Sequence, residues 1–225
     1  MVMLTKTTPF SDLTNSGRWR AEFHVHGKGE IKSRFTVVPL GDVVAESKKA
    51  MNPSEIGSPF HYVGLENVEP VTGEAVDIEL TDPTAVRSRS KVFASGDILF
   101  GRLRPYLRKV MIAEPPFDSG LCSTEFIVLR VDETAITRTY LRDLLVSEPV
   151  VERLKRMQSG AALPRVSSKD LLRLKVPVPP LDEQRKLVKK IDKLKEQRRE
   201  LRRKLEELQR QGQDVINSVF TSSLS

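Results

Sequence analysis

From position 187 onward the chain keeps one hydrophobic rhythm. Positions 187, 191, 194, 198, 201, 205, 208, 212, 215 and 219 step by alternating fours and threes, and eight of the ten are Leu, Ile or Val. That spacing is a heptad seam, and it predicts one long amphipathic helix from Leu181 to Phe220. Pro180 suits a first helical position, and Asp182 and Glu183 fall in the first turn, where the helix dipole favours negative charge. No proline follows. At 1.5 Å per residue the helix is a rod on the order of 60 Å long, too long to cover its own stripe. Arg198 and Gly212 interrupt the seam, the first as a candidate register-setter and the second as a candidate bend. The other faces are crowded with opposite charges at helical spacing, such as Glu200 with Lys204.

Upstream the pattern changes to short apolar runs bounded by Gly, Pro or Asp. Residues 35–40, 60–65, 98–100, 109–113 and 125–131 read as strands, and 75–80 alternates with period two. Residues 136–147 and 149–158 have helical spacing, with Ser159-Gly160 as a stop. Ser167 or Ser168 caps a short helix before a last strand at 175–178. Residues 10–17 read as a short helix or turn, and 27–29 as a loop. The fold class that results is α+β: a compact, mostly-β domain with a few helices over 1–178, then the coiled-coil helix over 179–225.

Length agrees, since 225 residues hold one domain plus the rod. No apolar run is long enough for a membrane span, no signal pattern opens the chain, and a lone Cys122 supports neither a disulfide framework nor a cysteine zinc site. A cytoplasmic protein is expected. The net charge of +7 comes from 37 basic and 30 acidic residues, and its distribution says more than its size. Glu66, Glu69, Glu74, Asp77, Glu79 and Asp82 fall in a stretch without a single cation. Arg87, Arg89, Lys91, Arg102, Arg104, Arg108 and Lys109 follow against Asp97 alone, and a second basic stretch runs from Arg153 to Lys175. Two basic segments of one domain can form one face, the electrostatic footprint of a nucleic-acid binder.

Catalytic chemistry is hard to find. The chain has no phosphate-cradling glycine loop, no dinucleotide fingerprint, no nucleophile elbow and no Asn-Pro-Pro-aromatic tetrapeptide. His24 and His26 have a metal-site spacing, with His61 as a third candidate, but no acidic or cysteine ligand clusters with them. Cys122 reads as a small buried residue rather than a nucleophile. No enzyme activity, metal or cofactor is expected. Binding chemistry is richer: Gly101-Arg102-Leu103-Arg104-Pro105-Tyr106-Leu107-Arg108-Lys109 places guanidinium forks and an aromatic ring in one loop. Against this stands a plainer alternative in which Leu103, Tyr106 and Leu107 are core and the arginines are merely solvated. The candidate DNA-binding set is Arg87, Arg89, Lys91, Arg102, Arg104, Tyr106, Arg108, Lys109, Arg165, Ser167 and Lys169.

Val176-Pro-Val-Pro-Pro-Leu-Asp-Glu-Gln184 leading into a heptad helix resembles the conserved-helix region of type I restriction-modification specificity (S) subunits. Residues 95–110 and 122–130 are similar to the target-recognition domain of the same family, and Arg20-Ala21-Glu22-Phe23 to its opening. The resemblance implies a non-catalytic reader of one half of a bipartite duplex site, chiefly in the major groove. Separate methyltransferase (M) subunits would methylate adenine, and a restriction (R) subunit, where present, would cleave. Full subunits of the family have two recognition domains and two conserved helices, whereas this chain has one of each and so resembles a half-size form. Its seam, Leu187, Ile191, Leu194, Leu201, Leu205, Leu208, Val215 and Val219, is then expected to pair with a second copy as an antiparallel homodimer. A coiled-coil adaptor whose basic domain binds protein instead of DNA is the alternative.

Overall fold

The computed structural model describes residues 33–160 and 162–221. The expectations placed on 10–17, 20–23 and 27–29, and on His24 and His26, lie outside these residues. The chain divides into two compact units, Met1–Leu181 and Asp182–Ser225.

The first unit holds strands β1 (Thr36–Pro39), β2 (Val44–Ser47), β3 (Ala50–Met51), β4 (Phe60–Val63), β5 (Leu80–Thr81), β6 (Ser90–Phe93), β7 (Ile98–Gly101), β8 (Val110–Ile112), β9 (Gly120–Cys122) and β10 (Phe126–Val131). Helices α1 (Arg138–Leu145), α2 (Glu148–Met157) and α3 (Ser168–Arg173) follow, then β11 (Lys175–Val178). The strands form a four-stranded sheet in the order β2-β10-β7-β8 and a five-stranded sheet in the order β3-β6-β9-β4-β5. The ladder joining β4 to β9 is parallel; the others are antiparallel. β1 pairs with β11, Thr36 opposite Val178, and so ties the two ends of the described unit together.

Between the two larger sheets lies the main core. Val63, Phe93 and Cys122 from the five-stranded sheet meet Leu99, Met111, Phe126 and Val128 from the four-stranded one. On β7 and β10 the alternate residues Ile98, Phe100, Ile127 and Leu129 are buried as well. These central strands are therefore covered on both faces, which is why they read as continuous apolar runs rather than as alternation. Each helix begins on a local signal. The Thr137 hydroxyl accepts the Tyr140 N–H to cap α1, Pro149 opens α2, and Ser167 Oγ accepts the Asp170 N–H to cap α3.

The alternation at 75–80 does not make a strand there, and β5 begins only at Leu80. Asp77 has φ 50°, and the Asn67 side chain donates to the Val76 and Asp77 carbonyls at 3.1 and 3.0 Å. The backbone acceptors are thus satisfied by a side chain, and no sheet partner is needed. The acidic loop containing these residues is pinned from below by Arg142. Its guanidinium is 7% exposed, donates to the Val110 and Val71 carbonyls, and pairs with equally buried Asp143 at 2.9 Å.

Gly96 turns the chain from β6 into β7. Its φ is 83°, and Asp97 closes the turn by accepting the Ala94 N–H at 2.9 Å. Burial raises the Asp97 carboxyl above its ordinary pKa, opposed by the Ala94 N–H and the Arg130 charge.

The second unit is the helix α4 (Leu181–Thr221). It runs without interruption through Gly212, where a Cβ would meet nothing within 4 Å. The rod is laced by ion pairs three or four residues apart, including Arg185–Asp182 at 2.9 Å and Lys204–Glu200 at 2.8 Å. Along the seam Leu187 and Ile191 are half-buried, while Leu194, Leu201, Leu205, Leu208, Val215 and Val219 are between 56% and 67% exposed. Among the described residues no helix is long and apolar enough to cross a membrane.

Replacing Arg142 with Ala removes the guanidinium from beside the buried Asp143 carboxylate and frees the Val71 loop, so urea denaturation should show a loss of about 3 kcal/mol. A loss below about 1 kcal/mol would mean that the guanidinium is not what holds the loop. At Gly96, alanine adds strain at a positive φ and puts a Cβ against the movable end of the Arg138 side chain. That substitution should cost about 1 kcal/mol or more, read as a lower urea midpoint at unchanged slope.

Candidate nucleic-acid interface

The basic loop leaves β7 and returns on β8, its base closed by the Gly101 N–H donating to the Lys109 carbonyl at 2.9 Å. At its tip Pro105–Leu107 forms a single 3-10 turn, and Arg104 and Arg108 bracket it with φ values of 47° and 56°. Two non-glycine residues in the left-handed region store strain of about 1–2 kcal/mol each. Backbone bonds on either side hold them there: Arg104 N–H to Pro164 O at 2.8 Å, and Val71 N–H to Arg108 O at 3.1 Å.

The second basic segment meets this loop edge to edge. Arg104 N–H donates to Pro164 O at 2.8 Å and Val166 N–H to Arg102 O at 3.0 Å, while Ser159 and Arg165 exchange both N–H···O bonds at 2.8 Å. Leu103 lies opposite Arg165, which lies opposite Ser159, all antiparallel. The result is a short ladder with 164–166 in the centre, 102–104 on one side and 158–160 on the other. By the alternation of strand side chains, Arg102, Val166 and Gln158 share one face, and Leu103, Arg165 and Ser159 the other. Val166 is fully buried, so the first face points inward. On the second face Arg165 forks onto Glu125: Nε lies 3.0 Å from each carboxylate oxygen and a terminal nitrogen 2.6 Å from Oε1. The fork hydrogen bond raises the Arg165 pKa further above its ordinary value.

The sequence-selected residues divide into two groups. Lys109 donates to the Leu65 carbonyl at 2.7 Å, Arg165 grips Glu125, and Ser167 caps α3, so these side chains hold the scaffold. Lys91 lies 3.5 Å from Glu46, which also accepts the Ser168 hydroxyl at 2.8 Å, and Arg89 donates to the Ala50 carbonyl at 3.2 Å. By contrast Arg87, Arg102, Arg104, Tyr106, Arg108 and Lys169 make no side-chain hydrogen bond or ion pair among the described residues. Tyr106 and Leu107 are 40% and 38% exposed and Leu103 is half-buried, so these side chains are not core, while Pro105 anchors the tip by its burial. α2 packs against the same tip. There the Glu152 carboxyl is held below its usual pKa, chiefly by the hydrogen bond from Lys155, with the charges of Arg156 and Arg108 adding.

Two polar atoms stand out. Arg102 Nε and Gln158 Oε1 are buried and have no hydrogen-bond partner among the described residues. Each such orphan costs about 1–3 kcal/mol. Sequence reading selected Arg102 but missed Gln158, which reads as the end of a helix, and Glu125, which reads as the start of a strand; neither carries a local signal of its role.

Nothing in the described residues resembles a catalytic centre. No three His, Cys, Asp or Glu side chains gather as a metal site there. His61 lies edge-on to Phe117 at 5.1 Å, and burial pushes the Cys122 thiol up to about 12, far from the reactive thiolate range.

Residues 32–210 match the family model described as the type I restriction modification DNA specificity domain. The specificity subunit of the type I restriction enzyme EcoDI of Escherichia coli is 29% identical over 154 residues, covering 68% of this chain and 33% of that protein. The crystal structure of the HsdS subunit from Thermoanaerobacter tengcongensis superposes with a TM-score of 0.68 at 30% identity, over 79% of this chain and 46% of that one. A chain from a structure describing complex assembly and conformational transition of the type I R-M system gives the same TM-score and identity, over 77% and 45%. The chain thus spans a third of the curated relative and just under half of the two solved chains. With its mostly-β unit, its long helix and a family match across most of its length, the chain belongs to the type I restriction modification DNA specificity family.

Proposed function

We propose that this chain is a non-catalytic DNA sequence-recognition subunit of a type I restriction-modification system. In this reading residues 1–178 form a target-recognition domain that reads one half-site in the major groove. The helix from 179 onward sets the spacing to a second half-site. The subunit directs methyltransferase subunits, and a restriction subunit where there is one, to the target. The observation that carries the reading is the ladder joining residues 102–104 to 164–166, because it gathers two basic segments sixty residues apart in sequence into one surface. Arg104, Arg108 and Lys169 present unpaired cations suited to phosphates, and Tyr106 an exposed ring suited to sugar or base. Lys109, Arg165 and Ser167 act behind them by fixing the loops.

The occupant proposed for the seam is a second copy of this chain, antiparallel. Leucine and valine side chains more than half exposed along most of the rod gain about 1.5–3 kcal/mol each on full burial. A two-fold dimer imposes two-fold symmetry on its site, so the expected target is an inverted repeat with an unread spacer.

Enrichment of duplexes from a randomised pool by the chain assembled with its methyltransferase subunits tests the function. A bipartite inverted repeat supports it, and a pool left uniform refutes it. Light scattering of the purified chain should give the mass of two copies, and Leu194→Glu combined with Leu201→Glu should reduce it to one. A single-copy mass for the unaltered chain would remove the homodimer. Arg104→Ala and Arg108→Ala should each weaken binding to all sequences alike and lower the slope of log K against log salt by about one. An unchanged slope would place those arginines away from phosphate.

A further inference from the structure

The two buried orphans on the ladder are complementary. Arg102 Nε–H is a donor without an acceptor, and Gln158 Oε1 is an acceptor without a donor. The pairing Leu103–Arg165–Ser159 puts Arg102, Val166 and Gln158 on the next rung, with side chains on the same inward face. The outer strands of such a ladder are about 10 Å apart, a gap that two long side chains can close over Val166. The remaining nitrogens of both side chains make no hydrogen bond either, although they are not among the buried orphan atoms. Arg102 therefore has a buried root and a fork that reaches solvent.

We propose that Gln158 is the positioning residue for Arg102. On the DNA its Oε1 accepts the Arg102 Nε–H, which leaves the two terminal guanidinium nitrogens to meet a guanine end-on at O6 and N7. The assignment rests on the DNA-reading function above and names within it a base-reading element. Base rather than phosphate follows from restraint. The backbone of all three arginines is hydrogen-bonded, but only the Arg102 side chain has its Nε buried, which restrains the guanidinium along its stem, whereas the Arg104 side chain is exposed. Reading a base edge needs a fixed fork, while a phosphate tolerates a mobile one. The Glu125–Arg165 fork on the opposite face keeps the central strand in register.

The experiment uses the full chain in its methyltransferase assembly and the duplex target enriched from the random pool, with each base pair replaced in turn in competition binding. Gln158→Met keeps the side-chain length and removes the acceptor; Gln158→Glu keeps the acceptor; Arg102→Lys keeps the charge and removes the fork. Gln158→Met and Arg102→Lys should each cut discrimination at the same G·C pair by about tenfold or more, with the salt slope unchanged. Their combination should lose no more than either alone, and Gln158→Glu should restore discrimination to within about threefold of the unaltered chain. Melting temperatures of the variants separate a folding defect from a reading defect. Undiminished discrimination in Gln158→Met, or a loss at a different base pair from that of Arg102→Lys, overturns the assignment. Lower affinity for every sequence with a shallower salt slope would make Arg102 a phosphate contact and overturn it too. An unaltered assembly with no sequence preference fails at an earlier step, by removing the DNA reading itself.

Discussion

A loop that carries four cations within eight residues repels itself, and it keeps one shape only if its backbone is held from outside. In this chain the restraint is a ladder of main-chain hydrogen bonds. Residues 102–104 bond to 164–166, and Arg165 in turn bonds to Ser159. Main-chain bonds are indifferent to side-chain charge, so the loop can be basic without losing its form. The cost appears as two arginines in left-handed conformations and two buried polar atoms without partners. Such irregularities gather where a protein keeps geometry that folding alone would not choose.

Charge is sorted by the same device. Glu125 lies at the entrance to β10 and grips Arg165, while Glu46 stands between Lys91 and Ser168. These carboxylates take up the cations nearest the scaffold and leave those on the loop tip unpaired. The acidic loop is tied to the end of the turn at that tip by the bond from the Val71 N–H to the Arg108 carbonyl, and Arg142 holds it through the Val71 carbonyl. The basic surface is local, and the net charge of +7 over the whole chain does not describe it. Behind it lie β7 and β10, buried on both faces, whose rigidity the loop inherits at Gly101 and Phe126.

The helix obeys a different rule. Its stability as a rod comes from length, good helix formers and many exposed ion pairs, and its apolar stripe adds nothing until something covers it. Gly212 leaves the helix unbroken, because one glycine in an exposed helix costs only about 1 kcal/mol, and that is spread over a long cooperative segment.

The long helix, the central strands and the cap of the short helix were legible in the sequence, because each depends on neighbours within a few residues. The heptad needs only its own spacing, Ile98–Gly101 and Phe126–Val131 only their apolar runs, and Ser167 only the N–H group three residues on. Both basic segments, and the cations in them, could be named in the same way. The strands Val44–Ser47, Ala50–Met51, Ser90–Phe93 and Gly120–Cys122 could not, since they are short, lack a pattern of their own and exist only through partners far along the chain. Residues 75–80 misled for the complementary reason: their alternation is real, but Asn67 takes the carbonyls that a strand would offer. Which cations are bound and which are free, and the placement of Arg102 and Gln158 on one rung, belong to tertiary structure alone. Residue type and spacing set what a side chain can donate or accept, while only the folded register decides what lies opposite it.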